Sequence, residues 1–298
     1  MKYKQPIGIL TLFISLFSIL TTSVGIFSNQ GPGEYKFQSI YGETISIYGK
    51  GLYQHDSASM ALQAIAQDYV TLFLGVPLLL ISLYFSKKDF LKGRLILTGT
   101  LGYFLYTYVS YSFLSMYNRF FLVYVLLMSL SFFAFTLSIM SFNIPRLPEY
   151  FHEKLPRGLI GAVLIFVSTA FGILWMGKIA PSLSNGNPPV GIEHYTTMVI
   201  QALDLGFIIP IGLLAGILLI KRKPFGYLLA SIITIKLITL LTALTAMILL
   251  QILAGIKVGL PMLIITLFFN IIVIYCLYLI MVNIREKVTG TIGGQMSV

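Results

Sequence analysis

Apolar and polar residues in this chain are gathered into blocks. Runs of about twenty largely apolar residues, the length that crosses ~30 Å of hydrocarbon at ~1.5 Å per helical residue, alternate with short polar connections. The runs cover 6–27, 68–85, 95–115, 120–142, 158–177, 197–220, 226–253 and 262–284. They predict an all-α integral membrane protein of about eight transmembrane helices, with 1–298 as one polytopic membrane domain.

One segment breaks the pattern. Residues 28–67, between the first and second runs, are polar, and YKFQSIYGETISIYGKGLY alternates as a strand pair does. A small outer β-hairpin is expected there, with Gly42 at its turn. Asp56 or Ser57 can cap a helix that starts at Ala58 and runs unbroken through Asp68 into the second span. Pro77 and Pro210 are expected to kink their helices, because proline lacks the N–H of the helical ladder. The first run follows Lys2 and Lys4 and contains the small-x-small sequence Ser23-Val24-Gly25, so a retained span and a cleaved signal peptide over 1–25 both stay open.

Composition agrees with the blocks. Hydrophobic residues make up 57% of the 298 and charged residues 10%, and the mean hydropathy is +0.90, values a soluble domain would not carry. The net charge of +10 does not imply nucleic acid, which needs basic residues on one folded face. Here they fall in short loops. Counted by side, fourteen of the twenty Lys and Arg residues lie with the termini, including Lys287. Five (Lys36, Lys50, Arg119, Lys178 and Lys257) lie opposite, and Lys236 is inside a run. The positive-inside rule then puts both termini of a multi-pass cell-membrane protein in the cytoplasm. The tail IREKVTGTIGGQMSV is polar and expected to be mobile. Cys276 is the single cysteine, which excludes an intrachain disulfide and offers no metal framework.

Ionisable residues inside apolar spans are the candidate chemistry, since a charge at mid-membrane costs ~2.5–3.5 kcal/mol on insertion scales and is retained for a reason. Asp204 lies about two turns into the sixth run and Lys236 near the middle of the seventh, with Lys221, Arg222 and Lys223 between the two runs. At ~1.5 Å per residue their backbones differ in depth by about 5 Å, within a lysine's reach, so an intramembrane charge pair is predicted. The same pair could serve only as a register clamp, or Lys236 could turn to Thr239 or Ser231. Pro210 leaves the carbonyl of Gly206 free in that helix.

A second group is expected at the outer ends of spans, where Asp68, Tyr111 and Asn118 would line a pocket with Glu193, His194, His55 and Asp56 from the loops. The competing account is an aromatic belt plus solvated loop charge. No His, Cys or carboxylate spacing suits a metal, and nothing points to a cofactor.

The stretches Asp68 to Arg94 and Asp204 to Lys223 each read as acid, proline, basic turn and return, which suggests two four-helix halves in parallel repeat. YTYVSYSFLSMYNRFFLVYVLLMSLSFF and ALDLGFIIPIGLLAGILLIKRKPFGYLLA resemble a group of multi-spanning prokaryotic membrane proteins. That resemblance implies no activity, cofactor or site residue. Lys236 sits where a retinal protein would carry its Schiff-base lysine, but the flanking sequence and the single tryptophan, Trp175, depart from those families.

Three function classes follow. A transporter or channel-like protein for a small solute or ion fits the intramembrane Asp/Lys site and the kinkable helices. A membrane-embedded lipid-modifying enzyme would draw on Asp68, His194 and Tyr111. A sensor or accessory subunit would use 28–67 as its recognition surface. In each case the lipid bilayer is the first partner.

Overall fold

The computed structural model describes residues 2–256 and 259–286. Lys257, Lys287 and the tail beyond it, which entered the charge count and the expectation of a mobile tail, lie outside the described residues. The fold is mostly helical. Helix α1 spans Lys4–Phe27, and strands β1 (Tyr35–Gln38) and β2 (Thr44–Ile47) follow. Next come α2 (Ala58–Val70), α3 (Val76–Lys87), α4 (Leu91–Phe113) and α5 (Phe121–Met140). The second part of the chain holds α6 (Arg157–Asn185), α7 (Val199–Leu203), α8 (Ile209–Ile220), α9 (Pro224–Leu253) and α10 (Leu260–Val282).

Seven helical stretches among the described residues are long and apolar enough to cross a membrane, with α2–α3 and α7–α8 each counting as one. The expected eighth is α4, which carries Lys92, Arg94 and a series of Tyr, Thr and Ser residues. Its position explains that composition, for α4 packs against α3, α5 and α9 and buries most of its length. An interior helix faces protein and can be polar. Outer helices such as α10 instead expose Ile264, Phe268 and Ile271, an apolar surface compatible with a polytopic membrane protein.

The hairpin forms as its alternation predicts, with Tyr35 opposite Ile47 and Gln38 opposite Thr44. Gly42 takes φ +80° at the turn, where its N–H donates to the Ser39 carbonyl. Ser57 caps α2, its Oγ accepting from the Met60 N–H at 3.2 Å. The second span is not the unbroken helix expected from sequence. A π-turn, Thr71–Gly75, separates α2 from α3, and a second, Asp204–Ile208, separates α7 from α8. Each ends two residues before a proline, Pro77 or Pro210. Proline cannot donate and its ring crowds the carbonyl four residues back, so the preceding turn widens.

The two broken helices match in detail. Pro77 and Pro210 are 133 positions apart, and the same separation relates both π-turns. It also relates Asp89 to Arg222, both with positive φ. At both turns the residue that follows donates its N–H to an equivalent carbonyl, Phe90 to Phe85 and Lys223 to Leu218. Gly93 and Gly226 also correspond, and a Cβ on either would lie within 3 Å of the preceding helix's backbone. This register differs from the one read from sequence. The counterpart of Asp204 is Thr71, not Asp68, and the counterpart of Lys236 is Tyr103.

The two ends of the bundle differ. At one, Lys4 pairs with Asp89 at 3.3 Å, and the Glu286 carboxylate accepts from the backbone N–H groups of Leu91 and Lys92 at the start of α4, both at 2.8 Å. At the other, the hairpin segment, the α4–α5 turn and the 186–198 loop meet around Asp56. Residues 6–27, left open between cleavage and retention, lie within α1, where Ile7 and Ile14 are fully buried.

Candidate functional site

A cavity of about 660 Å³ opens between α2, α4, α6, α7 and α9. Its lining begins at the hairpin end with Asp56, Ile192 and Glu193. Its deep end is formed by Tyr103, Tyr106, Asp204 and Lys236. Much of the wall between is apolar, with Phe171, Leu174, Trp175, Leu240, Leu244 and Met247. Sequence alone places Asp204 and Lys236 in adjacent spans; the fold brings both to this one space.

They do not form the direct ion pair expected. Among the described residues the ion pairs are Lys4–Asp89 and Arg146–Glu149. Tyr106 of α4 stands between the two candidates. Its hydroxyl donates to Asp204 Oδ1 at 2.7 Å, while the Lys236 ammonium sits over its ring, 3.7 Å from the centroid. Trp175 of α6 donates its indole N–H to Asp204 Oδ2 at 2.9 Å. Both carboxylate oxygens therefore have a neutral donor, and the carboxylate can be held without a cation touching it. Asp204 is the first residue of the π-turn, and its side chain faces α4 and α6.

Lys236 is the complementary case. It is 3% exposed, and Nζ has no hydrogen-bond acceptor among the described residues. Neither alternative acceptor takes it up: Thr239 donates to the Lys236 carbonyl and Ser231 to the Tyr227 carbonyl, and neither hydroxyl reaches Nζ. The ring of Tyr106 attracts the charge without accepting its three N–H bonds.

The expected outer pocket divides into three places. Asp68 and Tyr111 do meet, in a closed cluster where the carboxylate accepts from Tyr53 at 2.6 Å and from Tyr111 at 3.0 Å. Tyr111 borders the cavity on its other side, whereas Asp68 is not in its wall. Asn118 is elsewhere, bracing the α4–α5 turn by accepting from the Phe120 N–H at 2.9 Å. It lines a separate recess of about 300 Å³ with His55 and Arg119. Its position in a tight turn removes it from the face that Asp68 occupies.

Glu193 and His194 belong to the mouth. Glu193 accepts from the Ser57 hydroxyl. His194 packs on Tyr195, with ring centroids 4.5 Å apart, and its Nε2 lies 3.1 Å from the His55 carbonyl. Asp56, two residues before α2, accepts from Tyr195 at 2.9 Å and from the Met116 N–H at 3.0 Å. Burial raises the Asp56 carboxyl to about 6, with these two hydrogen bonds opposing the shift and Glu193 adding to it. Burial also raises Glu193. Asp68, His194 and Tyr111 thus do not converge as an enzyme's acid/base set would need.

Tyr106 and Trp175 are the site residues that the sequence reading did not single out for this role. Tyr106 is one of several tyrosines in α4, and only contact distinguishes it from its neighbours. Comparison of the chain with protein-family models, curated proteins and solved structures found no match.

Proposed function

We propose that this protein is a multi-pass membrane carrier for a small solute, with Asp204, Tyr106 and Lys236 at the inner limit of its binding cavity. The carrying observation is the cavity itself, whose lining runs from Asp56 and Glu193 at the hairpin end to two ionisable groups inside the bundle, Asp204 and Lys236. Charge in the interior of an apolar bundle is a mark of solute or ion pathways. In this reading the chain crosses the membrane eight times, α4 included, with both termini and the Asp89 and Arg222 turns in the cytoplasm. The cavity mouth then faces outward.

The matched π-turns support two four-helix halves. Helices α1, α3, α4 and α5 pack together, as do α6, α8, α9 and α10, while α4 and α9, third in each group, pack on one another. Carrier sites commonly lie at such an interface, beside interrupted helices. Tyr106 and Lys236 come from α4 and α9, so relative movement of the halves would alter the site directly.

The test is access from both faces. In a Cys276→Ser background, Met247→Cys in the cavity wall should react with an impermeant thiol reagent in right-side-out vesicles and also in inside-out vesicles. Reaction from outside only would overturn transport in favour of an outward binding pocket. Absence of reaction from either side would remove the cavity as a solute route.

A further inference from the structure

We infer that the cavity recognises a monoanionic amphipathic solute, an organic carboxylate with an apolar body, whose carboxylate binds Lys236. The inference rests on the carrier reading above and adds the chemical class of what is carried.

The two charged groups at the deep end differ in what they lack. Asp204 has a donor on each oxygen, Tyr106 on one and Trp175 on the other. A ligand cation would meet a carboxylate already solvated by the protein. Among the described residues Lys236 has no acceptor for its three N–H bonds, although it is buried and forms part of the cavity wall. A buried ammonium left without acceptors is costly, and the group that relieves the cost is an acceptor, best of all a negative one.

Charge and shape narrow the class. Asp204 lies on the same wall, on the other side of Tyr106, so a dianion such as a phosphate monoester would meet repulsion that a single charge meets less. Glu193 and Asp56 at the mouth act against a polyanion in the same sense. Beyond Lys236 the wall is Leu174, Trp175, Leu240, Leu244 and Met247, which favours an apolar body. A volume of about 660 Å³ is within the usual range for drug-sized ligands, ~300–1,000 Å³.

The probes share one body and differ in head group: 4-phenylbutyrate, 4-phenylbutylamine and 4-phenylbutanol. Each is titrated against the full chain in lipid nanodiscs, with binding read by calorimetry and by quenching of the single tryptophan, Trp175. Phenylbutyrate is expected to bind at least tenfold more tightly than the alcohol and the amine. Lys236→Met should remove that preference, and Lys236→Arg, which keeps the cation, should retain part of it. Because Lys236→Met relieves a buried charge, its thermal transition should not fall below wild type, which separates lost binding from lost fold.

Tighter binding of the amine, or equal binding of all three, would overturn the anionic class and leave the carrier reading standing. The same holds if no probe binds while Met247→Cys is reactive from both faces. If no probe binds and Met247→Cys is unreactive, the carrier reading fails with it.

Discussion

At the level of single residues, the distinction that matters is between a charge the protein solvates and one it leaves open. Asp204 and Lys236 were legible in the sequence because ionisable residues stand out in apolar runs, but their linkage through Tyr106 was not. Depth along two helices fixes proximity, while the direction of a side chain depends on the turn that carries it. Asn in place of Asp204 offers an oxygen to Trp175 and an NH2 group to the Tyr106 oxygen, so Asp204→Asn should fold normally and change only charge. Tyr106→Phe keeps the ring beneath Lys236 and removes one donor from a carboxylate, which is expected to cost about 1.5–3 kcal/mol. Thermal unfolding of the two variants checks the order: Asp204→Asn near wild type, Tyr106→Phe clearly below it. A second residue-scale test concerns Gly25 of α1, where an added Cβ would stand 1.9 Å from Asp68 Oδ2. Gly25→Ala should destabilise by roughly 1–3 kcal/mol through overpacking. In an Asp68→Ala background the cost of Gly25→Ala should fall sharply, since the nearest contact is removed and only the Tyr53 hydroxyl, at 2.9 Å, still crowds the added Cβ.

At the scale of elements, the blocks of apolar residues predicted where helices lie, and their ends shifted for local reasons. Helix α6 continues to Asn185, past the expected end near 177, with Pro181 inside it; no glycine in a positive φ stops it until Gly186. The π-turns were less legible, because sequence marks the proline and not the widened turn before it. The mouth of the cavity is held by another contact that sequence could not pair, Tyr195 of the 186–198 loop on Asp56. Asp56 is raised from 3.8 to about 6, first by burial. A carboxyl raised in the docked state binds more protons docked than undocked, so docking is strongest below pH 3.8 and weakens as pH rises through about 6. Glu193, raised by burial, acts with the same sign. Hydrogen exchange in 190–198, corrected for its intrinsic pH dependence, should therefore be slower at pH 5 than at pH 8. Asp56→Asn should reduce that difference by making the docked form permanently neutral. Equal protection of wild type at both values would show that the loop is held by other means.

For the whole molecule, the bundle has two distinct ends, and the proposed orientation assigns one to each face of the membrane. The N-terminal Lys4, the Asp89 turn, the start of α4 and Glu286 near the end of α10 are joined at one end. The hairpin, the α4–α5 turn and the 186–198 loop are joined at the other. The proposed even number of crossings depends on α4, whose polar composition would exclude it if each helix were judged as though lipid surrounded it. Its burial between α3, α5 and α9 removes that objection. Omitting α4 would place the Lys88 turn and the Tyr117 turn on one side, yet α4 is 23 residues long, about 34 Å at ~1.5 Å per residue. A helix of that length would carry the two turns to opposite faces. In intact cells, a cysteine at Ser184, exposed at the end of α6, should react with an impermeant reagent, as should one at Tyr117, which is 76% exposed. A cysteine at Lys88, exposed in the basic turn, should react only after the membrane is opened. Reaction at Lys88 together with Tyr117 in intact cells would mean that α4 does not cross, and the two-half arrangement, the outward mouth and the cytoplasmic termini would be lost together.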